Sequence, residues 1–315
     1  MNQKETIISV SSLEKSYKGL KVLKGVDFTL NNGSIFALLG SNGAGKTTIV
    51  NLLSTLLKPD GGKAEICGYD VVRQGMKVRK HISLTGQYAA VDEVLTGREN
   101  LRMIASLRHL PYGEQKADEL LDSFNLLDAG NRRVSTYSGG MRRRLDLAMS
   151  LIGNPSIIFL DEPTTGLDPQ SRLAMWKIVK SLADSGTTIF LTTQYLEEAE
   201  QLADQIAILN DGIIVAEGTP DALKKGMPNG TVELIFNSET DIEMAYSLLI
   251  GYQVNRNEEM LTINIITDGS VEQLSDILNR LNQSDVVVSS LTQKMPTLED
   301  VFLALIEKKQ EERNQ

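Results

Sequence analysis

The sequence predicts an α/β chain: a mostly parallel sheet with helices on its faces, followed by a second, smaller α/β domain. Two observations carry the first part. Residues 35–39 and 157–160 are short, wholly apolar runs, the habit of strands buried on both faces. Between such runs lie longer stretches with apolar residues at helical spacing. The second domain rests on a break near 225–230, where Lys-Lys-Gly-Met-Pro-Asn-Gly interrupts the pattern before strand and helix signals resume.

In chain order, residues 7–13 and 22–30 read as two strands joined by a turn at Lys18-Gly19. The buried strand 35–39 follows, then a Gly-rich turn and a helix over about 46–57. The interval 96–152 reads as helical, with Leu101, Ile104 and Ala105, then Leu120, Leu121, Phe124 and Leu127, at helical spacing. Strands are expected at 157–160, 187–192 and 206–209, with a helix at 170–183. Past the break, the pattern predicts strand 231–236, helix 240–249, strand 260–266, helix 271–283, strand 285–292 and helix 298–308. The sheet there has three or four strands with helices on one face. The polar end, 309–315, is expected to be disordered.

Composition narrows the function. The 315 residues are 41% hydrophobic and 23% charged, and can bury a sizeable core. A net charge of −9 argues against a nucleic-acid partner. No apolar run reaches the ~18 residues that cross a bilayer, so any membrane role comes through a partner. The polar start lacks the apolar core of a signal peptide. The single cysteine, Cys67, reads as a small core or strand-end residue. His81 and His109 sit at no metal-ligand spacing.

Two segments carry chemistry. Gly40-Ser41-Asn42-Gly43-Ala44-Gly45-Lys46-Thr47 fits G-x-x-x-x-G-K-[ST] and lies between a buried strand and a helix. Its glycines let backbone N–H groups close around a phosphate, Lys46 bridges two phosphates, and the Thr47 hydroxyl suits Mg²⁺. The apolar strand 157–160 ends in Asp161 and Glu162. Carboxylates at the carboxyl end of such a strand suit metal holding, for Asp161, and general-base work, for Glu162. Taken alone, the same acids could start a helix, because Pro163 follows. A third segment, Tyr137-Ser138-Gly139-Gly140-Met141, opens a helix whose first turn is Arg142-Arg143-Arg144. Ser138 is a fitting N-cap, and paired glycines leave N–H groups bare for an anion. Cations at a helix start oppose its dipole, so the arginines mark either a nearby polyanion or a solvated basic face.

The phosphate loop, Ser138-Gly139-Gly140, Asp161-Glu162-Pro163 and Gly166-Leu167-Asp168, in this order, resemble the ATPases of ABC transporters over residues 6–220. The resemblance implies a P-loop NTPase core with an antiparallel β subdomain and a helical subdomain at about 88–152. That places a nucleotide-binding domain at 1–228 and an accessory α/β domain at 229–308. It also implies ATP and Mg²⁺ as cofactors. Tyr17 would stack on adenine, although a core aromatic reads the same way in isolation. Residues Ser41, Asn42, Gly43, Ala44, Gly45, Lys46, Thr47 and Thr48 would surround the phosphates. Thr47, Gln87 and Asp161 would serve the metal, and Glu162, Gln194 and Lys46 the reaction. Ser138, Gly139 and Gly140 would reach ATP held by a second copy of the chain, and Asp168 would sit in the loop linking the two copies.

The family's histidine after the last core strand is replaced by Gln194. An amide can hydrogen-bond a γ-phosphate but cannot exchange a proton near neutrality, so proton chemistry falls to Glu162. Gln194, Leu196-Glu197-Glu198-Ala199, Gly218-Thr219-Pro220 and the late Pro296-Thr297-Leu298-Glu299-Asp300-Val301-Phe302 resemble the daunorubicin-resistance branch. That branch implies a separate permease of about six helices, export of drug-like or lipid-like molecules, and a peripheral place on the inner face of the cell membrane. The competing readings are an importer ATPase and a soluble ATPase acting on ribosomes or DNA. A single nucleotide motif and the lack of a long heptad run disfavour the latter.

Overall fold

The computed structural model describes residues 5–111, 113–225, 230–284 and 286–305. The chain divides into two compact units, 1–220 and 221–315. Residues 226–229, inside the expected break, lie outside the described residues, as does the expected tail.

The first unit holds two sheets. One is antiparallel, with β1 (Thr6–Tyr17), β2 (Leu20–Asn31), β4 (Gly61–Ile66) and β5 (Tyr69–Asp70) in the order β2-β1-β4-β5. The β1–β2 turn uses Lys18 and Gly19, both at positive φ, as a tight hairpin requires. The other sheet has the order β10-β9-β3-β8-β7-β6. Its strands β3 (Ile35–Leu39), β6 (Ile82–Thr85), β7 (Ile157–Asp161), β8 (Thr188–Thr193) and β9 (Gln205–Asn210) are parallel, and β10 (Ile213–Gly218) closes the edge antiparallel. Every residue of β3, β7 and β8 is buried; the apolar runs 35–39 and 157–160 predict this for β3 and β7, whereas β8 buries Thr188, Thr192 and Thr193 as well.

The sheets meet through aromatic packing. Phe28 of β2 stacks on Phe36 of β3 at 5.2 Å, and Phe36 on Phe190 of β8 at 5.3 Å. A second tie joins them where the Lys24 N–H of β2 donates to the Gly212 carbonyl in the β9–β10 turn, at 2.9 Å.

The helices of this unit are α1 (Lys46–Leu53), α2 (Gly75–His81), α3 (Gly97–Leu107), α4 (Gly113–Ser123), α5 (Gly139–Ser150), α6 (Pro169–Asp184) and α7 (Leu196–Leu202), with α8 (Pro220–Lys224) at the division. A capping box, Thr96 with Glu99, starts α3. Two expectations need correction. The first helix ends at Leu53, not near 57, because Thr55 turns left-handed at φ 66°. The interval 96–152 is three helices and a short 3₁₀ turn, Val134–Thr136. His109 and Asn125, both at positive φ, follow α3 and α4, so Leu127 lies beyond its expected helix and is exposed.

The second unit is β11 (Gly230–Phe236), α9 (Glu239–Leu248), β12 (Gln253–Asn257), β13 (Thr262–Thr267), α10 (Val271–Asn282) and β14 (Val288–Lys294). Its antiparallel sheet has the order β12-β13-β11-β14, the β-α-β-β-α-β arrangement of ferredoxin-like folds. Val232, Leu234 and Phe236 alternate along β11 and join Ile263 and Ile265 of β13. Ile242 and Ala245 of α9 and Ile277 and Leu281 of α10 complete this one cluster, so both helices cover the same face. Strand β12 lies where the pattern predicts no element, and the last strand begins at Val288 rather than 285. Residues 298–305 are helical, and the rest of the expected last helix lies outside the described residues. Among the described residues, no helix is long and apolar enough to cross a membrane.

Candidate functional site

The turn after β3 is forced to be glycine-rich by what surrounds it. A Cβ on Gly40 would lie 2.5 Å from the Leu209 carbonyl oxygen at the end of β9. At Gly45, φ is 112° and a Cβ would come within 2.7 Å of Leu23 Cδ2. Gly45 also caps α1, which has no side-chain cap and no acid in its first turn. The first N–H groups of α1 thus present partial positive charge without a resident carboxylate.

Lys46 is the first residue of α1 and is buried. Its Nζ donates to the carbonyls of Gly40 (2.8 Å) and Ser41 (3.1 Å) and lies 3.3 Å from Glu162 Oε1. Asp161 ends β7 beside β8, where Thr192 Oγ1 donates to its Oδ1 at 2.6 Å. Thr47 Oγ1 faces the same oxygen at 3.4 Å. Glu162 has left the strand with φ 49°. Its N–H is shared by the Thr192 carbonyl and hydroxyl, and its Oε2 lies 3.3 Å from Thr165 Oγ1 and 3.5 Å from Gln87 Nε2.

These groups surround a cavity of about 220 Å³, lined by Val22, Asn42, Gly43, Gly45, Lys46, Thr47, Thr48, Gln87 and Glu162. The arrangement joins a cationic, N–H-rich loop to a carboxylate. A polyphosphate would be held on one side, with a base at its end. The Thr47 hydroxyl and the Asp161 carboxylate are hard oxygen donors set against each other, a donor set that fits Mg²⁺.

Other expected residues lie outside this lining. Tyr17, at the end of β1, is 42% exposed, with Lys15 Nζ 5.8 Å over its ring, so it is no core aromatic. Ser138 caps α5 by accepting from the Met141 N–H at 3.2 Å, and Gly139 and Gly140 form the first turn. A Cβ on Gly140 would meet Ser171 Oγ at 2.5 Å. Asp168 caps α6, and the Ser171 contacts hold its carboxyl below the usual carboxylate range. Gln194 is partly buried just past the end of β8, two residues beyond Thr192.

Sequence reasoning missed four participants. Val22 walls the cavity, Thr192 grips both Asp161 and Glu162, and Arg143 and Asp146 lie behind the carboxylates. The three arginines of α5 are neither a solvated face nor alike. Arg142 pairs with Glu93 at 2.8 Å, and Arg144 donates to the Phe124 carbonyl past the end of α4. Arg143 is buried. The available signal was its helical spacing with Gly140, Leu147 and Ser150, all buried on the same stripe.

A strand, glycine-rich loop and helix that close on a strand-end carboxylate pair define a P-loop nucleoside triphosphatase. The profile of the ABC transporter family matches residues 23–165. Over 96% of both chains, this protein is 46% identical to the daunorubicin resistance ATP-binding protein DrrA3 of Streptomyces coeruleorubidus. It is 43% identical to the daunorubicin/doxorubicin resistance ATP-binding protein DrrA of Streptomyces peucetius, over 97% of this chain and 94% of that one. Among solved structures, it resembles the dimeric ATP-binding cassette MJ0796 bound to ADP and Pi, with a TM-score of 0.62 and 25% identity, over 68% of this chain and 98% of that one. The chain belongs to the ATP-binding proteins of ABC transporters, in the daunorubicin-resistance branch, and is an ATPase subunit.

Proposed function

We propose that two copies of this chain close on ATP and drive export of a drug-like or lipid-like molecule through a separate membrane permease of about six helices. The observation that carries this reading is the composition of the cavity. The phosphate loop, Gln87 and Glu162 line it, whereas Ser138, Gly139 and Gly140 cap a helix outside it. A helix start whose first residues are Gly139 and Gly140 offers backbone N–H groups suited to an anion, and ATP on a second copy would supply one. The likeness to a dimeric cassette supports the same arrangement. Export of drug-like molecules is supported by the names of the relatives, which confer daunorubicin and doxorubicin resistance. Peripheral placement on the cytoplasmic face of the membrane follows from that partner.

In this reading Lys46 and the N–H groups of α1 bind the phosphates, and Glu162 takes the proton of the attacking water. Thr47, Asp161 and Gln87 would hold Mg²⁺, which when bound neutralises phosphate charge. Thr192 keeps Asp161 and Glu162 oriented. Gln194, at the same sheet edge, would position the γ-phosphate without exchanging a proton, and Tyr17 would offer its exposed ring to the base. Residues 1–228 would form the nucleotide-binding domain and 229–308 an accessory domain.

Replacing the carboxylate tests this. Glu162→Gln should bind ATP as the parent does, lose turnover by about 10²–10⁴-fold, and accumulate as an ATP-bound dimer in light scattering. Turnover at the parental rate removes Glu162 as base. A monomer at saturating ATP removes the two-copy arrangement.

A further inference from the structure

We infer that Arg143 is a positioning residue for ATP hydrolysis, fixing the backbone on both sides of the cavity that carries Gln87 and Glu162. The inference rests on the reading of Glu162 as the base.

Arg143 sits one turn into α5 and is 5% exposed. Its guanidinium spends its nitrogens on main-chain oxygens. Nε donates to Pro163 O at 2.9 Å, and Nη2 to Asp161 O at 3.2 Å and Glu162 O at 3.4 Å. Nη1 donates to Gly86 O and lies 3.4 Å from Asp146 Oδ2. One planar fork therefore spans the residue before Gln87 and three consecutive residues around Glu162. A single ammonium could not cover these four carbonyls.

What the fork holds includes a strained backbone. Glu162 is a non-glycine residue at φ 49°, a conformation kept only where the surroundings over-determine it. Thr192 of β8 fixes its N–H and Arg143 fixes its carbonyl. The segment around Gln87 is pinned twice. Arg143 holds Gly86 O, and Asp146, on the same helix, accepts from the Ala90 N–H at 3.2 Å. Between these pins, Gln87 Nε2 reaches Glu162 Oε2. The helix that begins at Ser138 is thereby tied to both elements that face the phosphate end of the cavity. Proton transfer to a carboxylate depends steeply on placement, so loosening this tie acts on turnover more than on binding.

The test uses the full chain and five proteins: the parent, Arg143→Lys, Asp146→Asn, Glu162→Gln, and Arg143→Lys in the Glu162→Gln background. Steady-state kcat and KM, MgATP affinity by fluorescence, and thermal unfolding are measured for each. Arg143→Lys keeps the charge opposite Asp146 and loses the fork. It should lower kcat by about 10- to 100-fold while KM and affinity stay within about 3-fold. In the Glu162→Gln background it should change residual turnover by less than about 2-fold, because its action passes through Glu162. Asp146→Asn, which keeps Arg143, should lower kcat by less than Arg143→Lys does. A parental kcat for folded Arg143→Lys overturns the inference, as does a change in KM alone or a full further loss in the Glu162→Gln background. Should Arg143→Lys fail to fold, the paired variant Arg143→Gln with Asp146→Asn, which leaves no lone buried charge, is read by the same criteria. Glu162→Gln separates the two readings. If it turns over normally, the base assignment falls and this inference with it. If it is inactive while Arg143→Lys is normal, only the role of Arg143 falls.

Discussion

Asp146 is a carboxyl driven up to about 6 from 3.8 by burial, although Arg143 and the Ala90 N–H pull the other way. An acid whose folded pKa exceeds its unfolded value folds more favourably when protonated. Asp146 therefore costs nothing below about pH 3.8, costs progressively more through the window from 3.8 to 6, and imposes its full penalty above it. The shift corresponds to about 3 kcal/mol. Between pH 4 and 7, the stability of Asp146→Asn minus that of the parent should rise by up to that amount in urea titrations. Parallel pH profiles would refute the assignment. Exposed carboxyls held low by their partners, such as Glu99 and Asp168, act with the opposite sign but equally in both proteins.

At this scale the sequence was legible where chemistry dictates spacing. The loop from Gly40 to Thr47 and the pair Asp161-Glu162 could be read because phosphate binding and metal holding constrain residue types in order. For Arg143 the only signal was its helical spacing with Gly140, Leu147 and Ser150, because what sets it apart from Arg142 and Arg144 is which carbonyls surround each guanidinium. Tyr17 lies past the strand expected at 7–13, and its exposure depends on what packs over the longer β1.

Elements were legible in proportion to their burial. β3 and β7 announce themselves because both faces are covered. β12, Gln-Val-Asn-Arg-Asn, has almost no strand signal and exists through its pairing with β13 at the sheet edge. The pattern predicts no elements in the stretch containing β4, α2 and β6, since β4 is half polar and β6 is only four residues long. A contrast within the phosphate loop tests how tightly the elements close. Gly45→Ala puts a side chain at a φ of 112° and presses it on the Leu23 side chain where α1 meets β2. Its nucleotide affinity should fall by more than about 10-fold, whereas Gly43→Ala, with open space around it, should cost only the left-handed strain of about 1 kcal/mol. Equal affinities for the two variants would show that Leu23 simply moves aside.

For the molecule as a whole, the two units have separate hydrophobic clusters, one centred on residues such as Phe36 and Leu38 and the other on Val232, Leu234 and Ile263. A cluster that draws on four strands and two helices of its own is sufficient for independent folding. Residues 221–315 expressed alone should unfold cooperatively in urea when followed by circular dichroism, and a gradual, featureless loss of signal would contradict this. The break in pattern was readable from Lys-Lys-Gly-Met-Pro-Asn-Gly, but the strand order β12-β13-β11-β14 was not, because register depends on pairing across the sheet.

The β9–β10 turn has a consequence that reaches the nucleotide cavity. Gly212 has φ 78°, and a Cβ there would lie 2.2 Å from the Val22 carbonyl, while Val22 itself walls the cavity. Part of the nucleotide's enclosure therefore hangs from a hairpin that comes almost two hundred residues later in the chain. Remodelling at that hairpin would disturb, through Val22, a pocket whose lining it never enters.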